Sequence, residues 1–245
     1  MKLVVHSVPE ETRAHASKQE KDMADKVRQV LHPEVVVYIF RHGHTLPSES
    51  GPAGDLARAL SDKGIRQSDQ LGQTVVAAQI EFDQVICSAA PRAQATGRGA
   101  ARHFNMKGGT DHPLRDPRWY NGKGRELYCP ASDEDNAALW VVTDEMERQF
   151  KNGTFVSPMG YRQFKWLDRT GTLDRFMDET RRVVSSIPGI AEASRVAFFS
   201  HAVIGNAVGE ALFPQHTTKL DTIELAPCDC IRLTATSCQH VPLYT

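Results

Sequence analysis

Residues 35–45 read Val-Val-Val-Tyr-Ile-Phe-Arg-His-Gly-His-Thr, and this stretch decides the fold. The run 35–40 is apolar without a break and rich in β-branched and aromatic residues, which is typical of a strand buried on both faces of a sheet. It stops abruptly at Arg41, His42 and Gly43. In open α/β sheets, the residues just past the carboxyl end of such a strand bind ligands. An arginine beside a histidine there indicates an anion site that contains a nucleophile or a base.

The overall composition is that of an ordinary globular chain. The 245 residues are 40% hydrophobic and 24% charged, with a formal net charge of -1. This balance argues against general nucleic-acid or membrane-surface binding. No apolar run approaches the roughly 20 residues that span a bilayer, and the N-terminal apolar patch is too short for a secretory signal. The expected location is therefore the cytoplasm.

The five cysteines predict neither a disulfide framework nor a metal site. Their number is odd, and their density is far below that of a disulfide-rich scaffold. Cys228 and Cys230 are separated by one residue, whereas redox and zinc motifs use two or more. Reduced structural thiols are the expected state.

Two further segments repeat the design of an apolar strand followed by a helix. Residues 84–87 predict a short strand, and the helix that follows it carries Arg92. Residues 195–199 predict another buried strand, and His201 follows it at the start of a helix. If the strands are parallel, two arginines and two histidines meet at one sheet edge together with helix N-termini. Arginine binds phosphate oxygens bidentately and keeps its charge, so this convergence indicates phosphate capture.

Helix and strand signals alternate along the rest of the chain. Ser61 suits the N-cap of a long helix, and a Pro at position 91 suits a first helical turn. The expected helices cover about 61–79, 91–103, 132–150, 172–186 and 201–212. Further strands are expected near 112–114 and, as a closing pair, at 222–225 and 231–234.

The alternation predicts one α/β domain with an N-terminal extension. Residues 1–33 are strongly charged and are expected to form a partly helical extension. Residues 34–245 are expected to form the main domain, with a helical cap inserted at about 115–190. The expected fold is a three-layer αβα sandwich with a mainly parallel central sheet.

Four motifs occur here in the order that one protein family shows. They are Arg41-His42-Gly43 with Thr45, Leu60-Ser61-Asp62-Lys63-Gly64 with Gln67, the segment 88–96 around Arg92, and Ser200-His201. The motifs lie within residues 35–235 and span most of the chain. On these residues the chain resembles the histidine phosphatase superfamily, the phosphoglycerate mutase-like group with the Arg-His-Gly motif.

The resemblance implies a role for each matching residue. His42 is expected to attack phosphorus as a neutral imidazole and to become a phosphohistidine, which water then hydrolyses. Arg41, Arg92 and His201 are expected to stabilise the charge on the phosphoryl oxygens. Because arginines and a histidinium supply that positive charge, neither a metal nor a cofactor is expected.

The resemblance also implies a general acid and further substrate contacts. The family places a glutamate a few residues past a leucine, and here that position holds Asp116, with Glu126 and Glu145 as alternatives. Ser48 stands where many members have an asparagine that donates to the phosphate. The basic residues after position 114 are expected either to bind a second anionic group or to face water. The expected substrate-binding residues are Gly43, Thr45, Ser48, Ala202, Arg118 and Arg125.

These features together predict a metal-independent phosphatase that hydrolyses a phosphomonoester through a phosphohistidine. One alternative is phosphoryl transfer of the phosphoglycerate mutase type, and another is a catalytically idle protein that binds phosphorylated ligands. The pair His42 and His44 is also compatible with a metal-dependent amidohydrolase barrel, for which the chain is short. The expected partner is a phosphorylated small molecule, with a phosphoprotein as the alternative and no nucleic acid or membrane. The substrate and the oligomeric state stay open.

Overall fold

The structure is a computed structural model of the chain. It describes residues 34–47, 57–88, 90–104, 119–120, 145, 148–149, 152–154, 161–186, 193 and 195–243. The predicted N-terminal extension, the strand near 112–114 and most of the helix at 132–150 lie outside these residues. Within the described part of the chain, no helix is both long and apolar enough to cross a bilayer.

Among the described residues, a mixed sheet of six strands forms the centre of the fold, in the spatial order β3-β2-β4-β1-β5-β6. The strands are β1 (Val36–Arg41), β2 (Gln84–Cys87), β3 (Trp119–Tyr120), β4 (Arg195–Ser200), β5 (Cys230–Leu233) and β6 (Cys238–Val241). Strands β3, β2, β4 and β1 run parallel to one another, whereas β5 and β6 pair in an antiparallel manner. The predicted, mainly parallel sheet is confirmed.

Strand β1 lies in the interior of the sheet, between β4 and β5. Its side chains alternate between the two faces, so Val37 and Ile39 belong to one hydrophobic cluster while Tyr38 and Phe40 contact the other. A strand that is covered on both faces must be apolar at nearly every position. This requirement explains the unbroken apolar run before Arg41.

Helices cover both faces of the sheet, which confirms the predicted three-layer sandwich. The helices are α1 (Asp62–Ala77), α2 (Pro91–Ala101), α3 (Tyr161–Leu167), α4 (Thr172–Ser186), α5 (Ala202–Leu212) and α6 (Thr217–Leu220). On one face, α1 and α2 contribute Leu71 and Ala100 to the core. On the other face, α3, α4 and α5 contribute Phe164, Phe176 and Val208.

The closing strand pair differs from the prediction. Residues 222–225 do not form a strand, and β5 pairs instead with β6, which comes next along the chain. The two strands are joined by a short turn in which Thr234 N donates to Ser237 O (2.9 Å). The apolar residues at 222–225, Ile223 and Leu225, are instead buried by packing and almost fully covered, and the turn that follows them lies next to the carboxyl end of β1.

Helices α3 and α4 fall within the range in which an inserted cap is predicted. Their apolar side chains nevertheless pack into the main core, and Tyr161, Phe164 and Phe176 are almost completely buried there. These two helices therefore form part of the sandwich layer. The extent of a cap in the remainder of 115–190 stays a prediction.

Candidate active site

The carboxyl ends of β1, β2 and β4 lie side by side at one edge of the sheet. Arg41 at the end of β1 is in register with Ser200 of β4, and Cys87 of β2 is in register with Phe199. Backbone pairing continues one residue further, because His42 N donates to Ser200 O (2.9 Å) and Ser88 N donates to Phe199 O (2.8 Å). The parallel register therefore brings together the residues that come after three different strands, as the sequence predicts.

The imidazole of His42 is held in a single tautomer. Its Nδ1 lies 2.8 Å from Gly43 O, and its Nε2 lies 3.2 Å from Arg92 Nε. A carbonyl oxygen can only accept and a guanidinium nitrogen can only donate, so Nδ1 carries the proton and Nε2 carries the lone pair. The side chain is buried, with only 4% of the residue exposed. The nitrogen that can act as a nucleophile thus faces the arginine that would bind an anion.

The surroundings of His42 favour its neutral form. Burial is the largest effect and lowers the pKa of His42 well below its usual value of 6.5. The positive charge of Arg92 lowers the pKa further, with smaller contributions from Arg41 and Arg58. The hydrogen bond to Gly43 O acts in the opposite direction and is outweighed. At neutral pH the imidazole is therefore neutral, and its Nε2 carries the lone pair that a nucleophile needs.

His201 faces His42 across the site. The two rings are 5.2 Å apart between centroids and inclined at 63°. Ser88 Oγ lies 2.9 Å from His201 Nε2, and Ala90 N donates to the same hydroxyl (3.3 Å). Ser88 thus connects the end of β2 to the end of β4.

The surroundings of His201 oppose the histidinium form that the resemblance implies. Burial, and then the charge of Arg92, lowers the pKa of His201 well below 6.5. The imidazole is therefore neutral in this structure, and the standing positive charge comes from the arginines. A bound phosphate dianion would counteract those charges and raise the pKa of His201.

Arg41 is half-buried, and one of its donors has no partner in the described part of the chain. Its guanidinium donates to Leu225 O. Its Nε is buried and has no hydrogen-bond partner among the residues that the structure describes. Burial and the charge of Arg58 lower the pKa of Arg41, although an arginine stays protonated at any physiological pH. A buried donor without a partner costs about 1–3 kcal/mol, and an anionic ligand would satisfy it.

The second sequence motif supports the loop that comes after β1. A Cβ atom on Gly64 would lie 2.0 Å from His44 O, and one on Gly43 would lie 2.8 Å from Gly64 O. The start of α1 can therefore approach the loop this closely only with glycine on both sides. Ser61 caps α1 by accepting from Gly64 N (3.2 Å), and its hydroxyl also lies 2.8 Å from His44 Nδ1.

Two side-chain contacts complete the attachment of this loop. Gln67 Oε1 accepts from His44 N (2.8 Å). Thr96 Oγ1, one turn after Arg92 on α2, accepts from Gly43 N (2.9 Å) and donates to Arg92 O (2.8 Å). The position of the loop is thus coupled to the helix that carries Arg92.

Three residues of the site were not assigned a function from the sequence. Arg58 is close enough for its charge to lower the pKa values of Arg41, His42 and His201. Ser88 binds His201, and Thr96 binds Gly43. Ser88 could have been found, because it comes directly after β2 as His42 comes directly after β1. Arg58 lies in a loop with no periodic pattern, and no local signal identifies it.

The remaining predicted residues are placed only in part. Thr45 forms an isolated bridge to Leu60, and Ala202 opens α5 directly after His201. Of the alternative acids, Glu145 accepts from Arg148 and Gln149, and the Arg148 contact lowers the pKa of Glu145, whereas a general acid needs a raised pKa. The predicted residues Ser48, Asp116, Arg118, Arg125 and Glu126 lie outside the described residues.

Comparison with known proteins finds one matching family profile and several solved structures. The sequence profile described as "Histidine phosphatase superfamily (branch 1)" matches residues 37–243. No curated protein matches the chain. Among solved structures, the α-ribazole phosphatase of Shigella flexneri is 16% identical and has a TM-score of 0.51, with 81% of this chain and 89% of that chain covered.

Two further solved structures are similar in fold. An Escherichia coli K-12 protein assigned as an α-ribazole-5'-P phosphatase is 15% identical with a TM-score of 0.50, and the match covers 86% of this chain and 96% of that chain. The phosphoserine phosphatase of Entamoeba histolytica, in complex with 3-phosphoglyceric acid, is 16% identical with a TM-score of 0.47, covering 81% and 89%. At these identities, the likeness to the Shigella flexneri and Escherichia coli structures bears on the fold alone.

Proposed function

This chain belongs to branch 1 of the histidine phosphatase superfamily, and on that premise we propose that it is a metal-independent phosphatase acting on phosphomonoesters. His42 is the nucleophile in this proposal, and the intermediate is a phosphohistidine. Arg41, Arg92 and His201 stabilise the phosphoryl oxygens. The substrate is a phosphorylated small molecule, and the expected location of the reaction is the cytoplasm.

The single observation that carries this proposal is the state of His42. Its tautomer is set by Gly43 O on one side and Arg92 Nε on the other, and its pKa lies well below 6.5 because the ring is buried beside a positive charge. A histidine with a structural role does not require an unprotonated Nε2 directed at an arginine. A nucleophile needs that arrangement, because the guanidinium binds the phosphoryl oxygens while Nε2 reaches phosphorus.

The first chemical step forms a bond from His42 Nε2 to phosphorus and breaks the bond from phosphorus to the ester oxygen. The leaving oxygen takes a proton from the general acid as it departs. In the second step a water oxygen attacks phosphorus, the nitrogen–phosphorus bond breaks, and the general base accepts a proton from the water. Inorganic phosphate then leaves, and His42 is neutral again with its proton on Nδ1.

The arginines supply the electrostatic stabilisation. The buried Arg41 Nε and the Arg92 guanidinium are donors that are fixed before the substrate binds. Because they are already oriented, no reorganisation is needed as charge develops on the transferring group. Asp116 is proposed as the general acid and base, on the strength of its position after Leu114 in the sequence.

The test compares the wild-type protein with His42→Ala in the hydrolysis of an aryl phosphate, with chelator present. We expect wild-type turnover in chelator and a loss on the order of a thousandfold or more in the variant, as for other removed nucleophiles. A radiolabelled phosphoryl group should remain on the wild-type protein after acid-free denaturation and be absent from the variant. His216→Ala serves as the matched control, because this histidine bonds Thr234 O outside the site.

Each other outcome contradicts a specific part of the proposal. Turnover that survives His42→Ala would remove the assigned nucleophile. Activity lost in chelator and restored by a divalent metal would replace the mechanism. A wild-type protein that binds phosphate but turns over no substrate in a broad phosphometabolite panel would indicate the idle binding protein. Transfer to a second phosphate acceptor in preference to water would indicate a mutase.

A further inference from the structure

A tight turn directly before β5 carries an unusual backbone conformation. Asp229 N donates to Ala226 O (2.9 Å), which closes a four-residue turn with Pro227 in its second position. The third residue, Cys228, has a φ of 65°. This pattern matches a type II turn, in which glycine or asparagine normally occupies that position. A cysteine in the left-handed region costs on the order of 1 kcal/mol or more, so other contacts must hold the turn in place.

The carboxylate of Asp229 supplies those contacts. Only 3% of Asp229 is exposed. Its Oδ2 accepts from Ala226 N (3.0 Å) and lies 2.9 Å from His240 Nε2 on β6. Its Oδ1 accepts from Leu243 N at 3.4 Å. A buried carboxylate that accepts several hydrogen bonds fixes the groups around it, because each of them would otherwise lose its partner.

The last two residues of the turn are bonded to the backbone of Arg41. Arg41 N donates to Asp229 O (3.0 Å), and Cys228 N donates to Arg41 O (3.2 Å). The carbonyl oxygen of Leu225, the residue just before the turn, accepts a hydrogen bond from the Arg41 guanidinium. On the other side, Asn206 Nδ2 of α5 donates to Ile223 O (2.8 Å), so the segment that leads into the turn is also held. The direction of the Arg41 side chain therefore depends on the Ala226–Asp229 turn.

We propose that Asp229 is a positioning residue, which holds the Ala226–Asp229 turn so that Leu225 O directs the Arg41 guanidinium toward the phosphoryl group. The inference rests on the proposed function and adds a residue to the same site. The negative charge of Asp229 also raises the pKa of Arg41, which shows that the two groups lie within electrostatic reach. Asp229 makes no substrate contact in this proposal, and its effect passes through Arg41.

A purely electrostatic role for Asp229 would have the opposite sign. A carboxylate near the site offsets part of the positive potential, so its removal would strengthen anion binding. A positioning role predicts weaker binding, because a misplaced guanidinium no longer meets the phosphate oxygens. The direction of the change in affinity therefore separates the two roles.

The experiment measures the affinity for orthovanadate, a phosphate analogue, by calorimetry, and kcat/KM for an aryl phosphate. We expect Asp229→Ala to lower both by about tenfold, on the scale of small misplacements of a binding group. Asp229→Asn retains one acceptor for Ala226 N and should show a smaller loss. Asp83→Asn is the matched control, since Asp83 Oδ2 likewise accepts a backbone amide, Arg195 N (2.8 Å), at the opposite end of β4.

A double-variant cycle shows whether the effect passes through Arg41. In an Arg41→Ala background, Asp229→Ala should produce no further loss of vanadate affinity, because the group that it positions is gone. A full additional loss in that background would overturn the proposal. Tighter vanadate binding by either single Asp229 variant would also overturn it, as would an unchanged affinity.

The outcome for Asp229 is distinct from the outcome for the proposed function. If the wild-type protein binds vanadate but hydrolyses nothing, the phosphatase proposal fails and the vanadate affinities still decide the role of Asp229. If the wild-type protein binds no vanadate, the positioning proposal falls as well. If Asp229→Ala does not melt cooperatively, Asp229→Asn carries the test. If neither variant folds, Asp229 acts in folding and the positioning proposal is overturned.

Discussion

Two regions support the Arg41-His42-Gly43 segment, and they do so by different means. The α1 support, formed by Ser61, Gly64 and Gln67, approaches the loop closely through a pair of glycines and a helix cap. The turn support, formed by the Ala226–Asp229 turn, holds Arg41 through a buried carboxylate and a strained cysteine.

The difference between the two supports lies in how their interactions are distributed along the chain. The α1 support consists of residues within seven positions of one another, and its close approach leaves no space for a side chain. The turn support joins α5, the turn, β6 and Arg41, which are far apart in sequence. The first support is set by steric exclusion, and the second by hydrogen bonds to a buried charge. Where two backbones are in contact, even one added methyl group produces a clash. We therefore expect a substitution in the α1 support to lower activity more than one in the turn support.

Gly64→Ala should break the α1 support and cause the largest loss among changes to the two supports. The added Cβ would lie 2.0 Å from His44 O, a backbone atom that can move only with the loop. We expect a loss of kcat/KM on the order of a hundredfold, because the loop that holds His42 shifts. Thermal unfolding should show a destabilisation of about 1–3 kcal/mol.

The control for this variant is Ile65→Ala, which alters the neighbouring and largely exposed residue of α1. Its kcat/KM should stay near the wild-type value. A Gly64→Ala protein with wild-type kcat/KM would show that the loop is not held by the glycine contact.

Ser61→Ala weakens the same support without a clash, and so its effect should be smaller. The variant loses the cap to Gly64 N and the contact with His44 Nδ1. Loss of an N-cap side chain typically lowers the free energy of unfolding by about 1 kcal/mol. Denaturant unfolding measures this change, and kcat should fall only a few-fold because the glycine contact remains. A loss as large as that of Gly64→Ala would mean that the cap, and not the close approach, positions the loop.

Arg58→Gln leaves both supports in place, should have the smallest effect, and tests the neutral state of His42. The charge of Arg58 contributes to the lowered pKa of His42, after burial and Arg92. Removing that charge raises the pKa of His42, so protonation inactivates the nucleophile at a higher pH. The acidic limb of the kcat/KM profile should therefore move to higher pH. Arg66→Gln, an exposed change on α1, should leave the limb in place, and a shift to lower pH in Arg58→Gln would contradict the assignment.

Much of the fold and site could be predicted from local sequence patterns. The apolar runs, the cap at Ser61 and the proline at position 91 depend on neighbours within a few residues, and the structure has β1, α1 and α2 there. The convergence of His42, Arg92 and His201 followed from the rule that parallel strands align their carboxyl ends. The closing strand pair was predicted wrongly, because the apolar residues at 222–225 are buried by packing and not by sheet pairing.

Cys228-Asp229-Cys230 shows where the sequence pattern gave too little information. Its cysteines indicated only reduced thiols, and the two flanking thiols are buried in the core, with the pKa of Cys228 raised to about 12 by burial. The aspartate between them drew no prediction, since its partners lie on other elements and at Arg41 in the first strand. No window of local sequence contains those contacts.

The sequence by itself determined that His42, the two arginines and His201 share one sheet edge, because strand and helix periodicity place each of them just past the end of a strand. Only the tertiary structure decided the tautomer and charge of His42, the participation of Arg58, and the fixing of Arg41 by the Ala226–Asp229 turn. Desolvation and the placement of hydrogen-bond donors arise from packing between distant segments. A pKa and the direction of a side chain therefore exist only once the chain has folded.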